Sequence, residues 1–178
     1  SINKAEIGKV ELKIEEINIV DYSKQIIEEL SSRFEKKPEL VFTSSNTEIK
    51  VNSDKKELRQ IISNLVVNAL KYTHEDKKVY FHVSLNKEKV IIEVKDEGIG
   101  IKDEDKENVL ELFARGKNVG GIHGTGLGLA ITKRSIEILG GELFFNSKEN
   151  VGSVFIVKIP HNIINKQTKP KVTITEKI

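Results

Sequence analysis

The sequence predicts an α+β fold, a two-layer α/β sandwich with a mixed, mostly antiparallel sheet and its helices on one face. Three observations point there. Short runs that alternate apolar and polar residues come in adjacent pairs, which is the pattern of hairpins rather than of parallel crossovers. Between them lie segments whose apolar residues recur three and four apart, the spacing of amphipathic helices. No internal repeat is visible. A helix layer on a sheet is then the packing that buries both apolar faces.

The elements follow in order. Residues 15–23, EEINIVDYS, read as a strand that ends at a cap, Ser23. Residues 23–37 place Ile26, Ile27, Leu30 and Phe34 on one helical face, with Pro38 as the stop. ELVFTSS and TEIKVNS are short strands. Asp54, with Glu57 three residues later, resembles a capping box and opens a helix over 54–73. KVYFHVSLN alternates Val79, Phe81, Val83 and Leu85 against Tyr80, His82 and Ser84. KVIIEVKD alternates Val90, Ile92 and Val94, and the NKEK between the two is a hairpin turn. After the break DEGIG (96–100), residues 101–123 are polar and glycine-punctuated, with one helical piece around 103–112. A helix runs from about Thr125 to Leu139 and ends at Gly140-Gly141. ELFFNS and GSVFIVKIP form a last hairpin that Pro160 closes. Residues 161–178 are polar and Lys-rich and read as a C-terminal tail or linker, although KVTIT could add an edge strand.

Composition excludes several classes. A chain of 178 residues fits one domain with a tail. Lys+Arg is 29 against Asp+Glu 27, so no single-sign field dominates and no nucleic-acid partner is expected. The chain has no cysteine, which excludes disulfides and thiolate metal sites, and its histidines show no ligand spacing. No apolar run approaches the roughly 20 residues of a membrane span, and no signal pattern opens the chain. The expectation is a soluble, cytoplasmic piece with no membrane contact of its own. The lack of Met, even at position 1, suggests a piece of a longer chain.

Three motifs carry chemistry. In NLVVNALKY, Asn64, Asn68 and Lys71 share one helical face, while Ile62, Leu65, Val66 and Leu70 form the opposite apolar stripe. Carboxamide oxygen is a hard donor suited to Mg²⁺, and lysine is a point charge for phosphate. In DEGIG, the Asp96 carboxylate accepts hydrogen bonds only and could take one from an exocyclic amine. Gly98 and Gly100 would let a flat ring approach the backbone. In HGTGLGLAI, Gly124, Gly126 and Gly128 precede a helix, so unobstructed backbone N–H groups make an anion site. This stretch matches neither G-x-G-x-x-G nor a P-loop. Each motif alone also reads as an ordinary helix face, turn or helix start.

Together and in this order, the motifs resemble the Bergerat-fold (GHKL) ATP-binding domains, and within them the catalytic domain of sensor histidine kinases. LRQIISNLVVNALKYT is similar to the N box, DEGIG to the G1 box, ELFAR to the F box and GTGLGLAI to the G2 box. The resemblance spans residues 15–160, with residues 1–14 similar to the end of a dimerisation helix and its linker. It implies ATP and Mg²⁺ as cofactors. Asp96 would accept the adenine amine. Asn68 would ligate Mg²⁺, with Asn64 near the phosphates or the metal shell. Lys71 would reach the phosphates, and Tyr72 would flank the nucleotide. Gly126, Leu127 and Gly128 would offer amides to phosphate. Phe113 would hold a mobile ATP lid, residues 101–123, and Arg115 would contact the γ-phosphate. Ser153 would join the adenine-side water network. Ile101, Gly124, Thr125 and Leu129 complete the implied pocket alongside Gly98 and Gly100.

One position separates the members of that superfamily. The ATPases and serine kinases resemble one another in a Glu four residues before the metal Asn, a general base. Here that position is Asn64. An amide cannot take that proton, whereas a neutral imidazole needs no base before it attacks. Asn64 therefore points to phosphoryl transfer to histidine, catalysed by positioning and charge neutralisation. None of His74, His82, His123 and His161 fits the acceptor pattern. The expected partners are a dimerisation and phosphoacceptor domain of the same parent, a homodimer that can be membrane-anchored, and a response regulator. The other reading is a Bergerat-fold ATPase or nucleotide-gated interaction module.

Overall fold

Residues 10–107, 109, 127–163 and 174–175 are described by a computed structural model. Strand β1 (Ile14–Asn18) leads directly into helix α1 (Ile19–Ser31). Strands β2 (Glu39–Ser44) and β3 (Lys50–Asp54) precede helix α2 (Lys55–Tyr72). A hairpin follows, made of β4 (Lys78–Asn86) and β5 (Lys89–Asp96). Helix α3 (Leu127–Ile138), the hairpin β6 (Glu142–Lys148) and β7 (Gly152–Pro160), and the short β8 (Ile174–Thr175) complete the order.

The main sheet has six strands in the order β2-β4-β5-β7-β6-β8, and β1 pairs with β3 in a separate two-stranded ribbon. The β2–β4 and β6–β8 pairs are parallel, and the others are antiparallel. This is the mixed, mostly antiparallel sheet expected.

Period-two alternation sets which face is buried. Val79, Phe81 and Val83 on β4, Val90, Ile92 and Val94 on β5, Leu143 and Phe145 on β6, and Val157 and Ile159 on β7 are all buried. They meet the apolar stripe of α2, where Leu58, Ile61, Ile62, Leu65, Val66, Ala69 and Leu70 are buried. Helices α1 and α3 flank α2, so the helices form one layer. Phe42 on β2 stacks on Phe81 at 5.4 Å, and Phe145 stacks on Phe155 at 5.7 Å, within the range of offset-stacked rings. The alternation read from the sequence stops one residue short at Leu85, which is 40% exposed near the hairpin tip.

Helix α1 starts earlier and ends earlier than its periodicity predicts. Asn18 is its cap: Oδ1 accepts from the Val20 N–H at 3.2 Å, and Nδ2 donates to Asp21 at 2.8 Å. The cap is therefore not Ser23, which lies fully buried within the helix. Ser32 stops the helix well before Pro38, with its hydroxyl donating to the Glu29 carbonyl at 2.7 Å, a local bond that competes with the ladder.

The start of the polar C-terminal stretch is tied to the sheet and the ribbon. The Asn52 N–H donates to the His161 carbonyl and the Ile163 N–H to the Asn52 carbonyl, both at 2.8 Å. The His161 N–H donates to the Glu88 carbonyl at 3.0 Å. Residues 161–163 thus bridge the β1–β3 ribbon to the β4–β5 turn. Further on, Ile174 and Thr175 pair with Leu143 and Phe144 at the edge of β6, so KVTIT does contribute an edge strand. No described helix is long and apolar enough to cross a membrane.

Candidate functional site

Helix α2 carries the first part of the site. Asp54 caps it, Oδ1 accepting from the Glu57 N–H at 3.1 Å. The second oxygen of Asp54 accepts from the Lys13 N–H at 2.9 Å, where the chain enters β1. From this anchored start, α2 presents Asn64, Asn68 and Lys71 over two turns, about 10 Å of axis. Asn64 and Asn68 are half-buried and Lys71 is exposed. The Asn64 amide nitrogen is buried without a hydrogen-bond partner. Lys71 Nζ lies 5.5 Å from the Tyr72 ring centre, and burial raises the Tyr72 hydroxyl pKa.

The second part is the DEGIG loop. Asp96 ends β5, opposite Val79 on β4 and Ser153 on β7. Its side chain is only 9% exposed. Oδ1 accepts from the Gly98 N–H at 2.9 Å and the Ser153 N–H at 3.3 Å. Both backbone donors use one oxygen, so Oδ2 is the atom able to accept from a ligand. Burial pushes the Asp96 pKa up, and the two backbone hydrogen bonds pull it partly back.

The loop then crosses the C-terminus of α2. The Ile99 N–H donates to the Tyr72 carbonyl at 3.1 Å, satisfying a carbonyl that the helix leaves open. A Cβ on Gly98 would lie 2.5 Å from that same carbonyl oxygen. Gly100 has φ of +66°, and a Cβ there would overlap the Lys148 carbonyl. Both glycines are thus required by the protein's own backbone, a different reason from the approach of a ring expected from the sequence.

The β6–β7 hairpin forms the third part. Ser147 Oγ accepts from the Ile101 N–H at 2.8 Å and lies 2.7 Å from Ser153 Oγ. The Asn150 N–H donates to the Ile99 carbonyl at 2.8 Å. At Gly152, with φ of +139°, a Cβ would overlap the Asp96 carbonyl. Ser147 and Gly152 were not singled out from the sequence. The signal for Ser147 was available: residues 143, 145 and 147 share the buried face of β6, and a serine there interrupts an apolar set.

The structure brings together Asn64, Asn68, Lys71 and Tyr72 on α2 with Asp96, Gly98, Gly100, Ile101 and Ser153 around its C-terminal end. Leu129 in the first turn of α3 packs against the core. Leu127 and Gly128 begin α3. Phe113, Arg115, Gly124, Thr125 and Gly126 lie outside the described residues. Two surface grooves, about 310 Å³ beside Lys24 and Phe42 and about 450 Å³ beside Glu88 and Lys158, lie away from this cluster.

The sheet thus ends in a buried carboxylate beside the C-terminal end of a helix that bears two carboxamides and a lysine. Residues 53–163 match the family model described as histidine kinase-, DNA gyrase B-, and HSP90-like ATPase. The sensor histidine kinase WalK of Bacillus subtilis is 34% identical over 152 residues, covering 82% of this chain and 24% of that protein. The circadian input-output histidine kinase CikA of Synechococcus elongatus is 29% identical, covering 97% of this chain and 24% of that protein. The catalytic domain of the histidine kinase ThkA superposes with a TM-score of 0.69 at 27% identity, covering 85% of this chain and 97% of that one. Full-length ShkA in complex with AMPPNP superposes with a TM-score of 0.74 at 27% identity, covering 93% of this chain and 35% of that one.

The chain belongs to this ATPase family, and within it to the ATP-binding catalytic domains of sensor histidine kinases. It spans 24% of the length of the two curated relatives described.

Proposed function

We propose that the chain binds Mg-ATP and donates the γ-phosphoryl group to a histidine on a dimerisation domain outside residues 1–178. The observation that carries this reading is Asn64. It lies one turn before Asn68 on the face of α2 that bears Lys71, and an amide there cannot deprotonate an attacking water. Its buried, unpartnered Nδ2 is a donor suited to a phosphate oxygen.

In this reading Asp96 Oδ2 accepts the adenine amine and fixes the base. Asn68 would hold Mg²⁺ through its carboxamide oxygen, and Lys71 would supply a cation for the phosphates. The donor set fits that ion. A cation that keeps waters and phosphate oxygens needs only one or two protein ligands. When bound, it neutralises charge that builds up during transfer. Tyr72 flanks the nucleotide, Ser153 supports the base, and the N-terminus of α3, with Gly126, Leu127 and Gly128, offers amides to phosphate. The resemblance assigns Phe113 to the lid, Arg115 to the γ-phosphate, and Ile101, Gly124, Thr125 and Leu129 to nucleotide binding. The partners are the acceptor domain of a dimeric parent and a response regulator. The site works in the cytoplasm, where ATP is available.

Mixing this chain with a separately expressed acceptor domain and labelled ATP tests the proposal. Label should pass to the acceptor histidine, while the chain alone stays unlabelled. Rapid ATP hydrolysis by the chain alone would overturn it and favour an ATPase.

A further inference from the structure

Thr73 is the residue at which α2 ends, in an extended conformation with φ of −113° and ψ of 130°. It is 6% exposed, and its Oγ1 is buried without a hydrogen-bond partner. A buried hydroxyl left unpaired carries a desolvation penalty, which a ligand atom that pairs with it would relieve. Its place in the fold says which one. A point beside Gly98, where a Cβ would stand, lies 2.8 Å from Asp96 Oδ1 and 3.0 Å from Thr73 Oγ1. The hydroxyl therefore sits beside the buried carboxylate, at the crossing of the DEGIG loop over the helix end.

We propose that Thr73 is a second specificity-determining contact at the base end of the pocket, its hydroxyl donating to a purine ring nitrogen directly or through one water. The inference rests on the nucleotide-binding reading above and names a residue that reading did not use. The chemistry is complementary. The edge of adenine carries an amine donor next to a ring-nitrogen acceptor. Asp96 accepts from the first and Thr73 donates to the second. A 6-oxopurine carries the opposite pair, an acceptor next to a donor, and meets Asp96 unfavourably.

The test uses calorimetric titration of the 178-residue chain with ADP and with IDP, alongside thermal unfolding without ligand. Thr73→Val removes the hydroxyl and keeps the shape. It should weaken ADP binding about tenfold, the worth of one hydrogen bond, and narrow the ADP-over-IDP preference. Its unliganded melting temperature should equal or exceed that of the wild type, because an unpaired buried hydroxyl has gone. Thr73→Ser should restore ADP affinity. T73V that binds ADP within twofold of wild type overturns the inference alone. T73V that melts below wild type, or fails to fold, also overturns it, since the hydroxyl is then structural. A wild-type chain that binds no ADP overturns the nucleotide reading and this inference with it.

Discussion

Asp96 has to remain an acceptor in surroundings that disfavour its charge. Asp96→Asn keeps an Oδ1 for Gly98 and Ser153 but turns an NH₂ toward the ligand, donor against donor. ADP affinity should fall about a hundredfold, combining the loss of a charge-assisted hydrogen bond with a repulsive one, and calorimetry would read it. Stability should move the other way. Burial raises the folded-state pKa of Asp96 above its usual value. Between the ordinary aspartate pKa and that raised value, the folded chain holds a proton that the unfolded chain has already lost. Stability therefore declines as pH rises through that window. Asp96→Asn removes the decline and should melt higher at neutral pH, as thermal scans across pH would show. Nucleotide affinity should fall on acidification already above the ordinary aspartate range. The candidate residues on α2 and in the DEGIG loop could be picked out from the sequence because they sit in short local motifs. The serine that interrupts the buried face of β6 could be seen in the pattern, but the long-range contacts of Ser147 with the Ile101 N–H and of Gly152 with the Asp96 carbonyl could not. Strand register brings these together, and local spacing does not show register.

At the scale of elements, α2 depends on its first residue. Asp54 holds Glu57 N–H with one oxygen and Lys13 N–H with the other. Asp54→Ala should cost about 1–2 kcal/mol in urea unfolding. Asp54→Asn, still a good cap, should cost less than Asp54→Ala while freeing Lys13, whose amide should then exchange faster with solvent. Gly100→Ala should weaken both folding and ADP binding, because a left-handed φ and the Lys148 carbonyl leave no place for a Cβ. Long periodic elements such as α2, β4, β5 and β7 were legible from the pattern alone. The start of α1 was not. Ile19 and Val20 continue the apolar run of β1, and the cap at Asn18 shows only when its side chain meets Val20 and Ile49.

Across the whole molecule, α+β pairing follows from hairpin alternation and amphipathic helices, which is why the layer arrangement was legible. The clasp of residues 161–163 was not, because polar composition suggested only a tail. A chain ending at Pro160 would lose the pairing of β8 with β6 and the three backbone hydrogen bonds made by His161 and Ile163, one to Glu88 and two to Asn52. The three clasp bonds alone should contribute about 2 kcal/mol of the loss, at roughly 1 kcal/mol per bond with partial replacement by water. The midpoint of urea unfolding should drop with little change in slope.

That clasp also joins the ribbon to the sheet through one run of contacts. A pull on Lys13 passes through Asp54 into β3, from Asn52 across to His161, and on to Glu88 at the tip of the β4–β5 hairpin. Ribbon and sheet therefore take up torque together, like a paddle fixed to its shaft. Any shift of ribbon against sheet would have to break one of these bonds, so the entry of β1 and the capped start of α2 share one hydrogen-bonded frame with the β4–β5 turn.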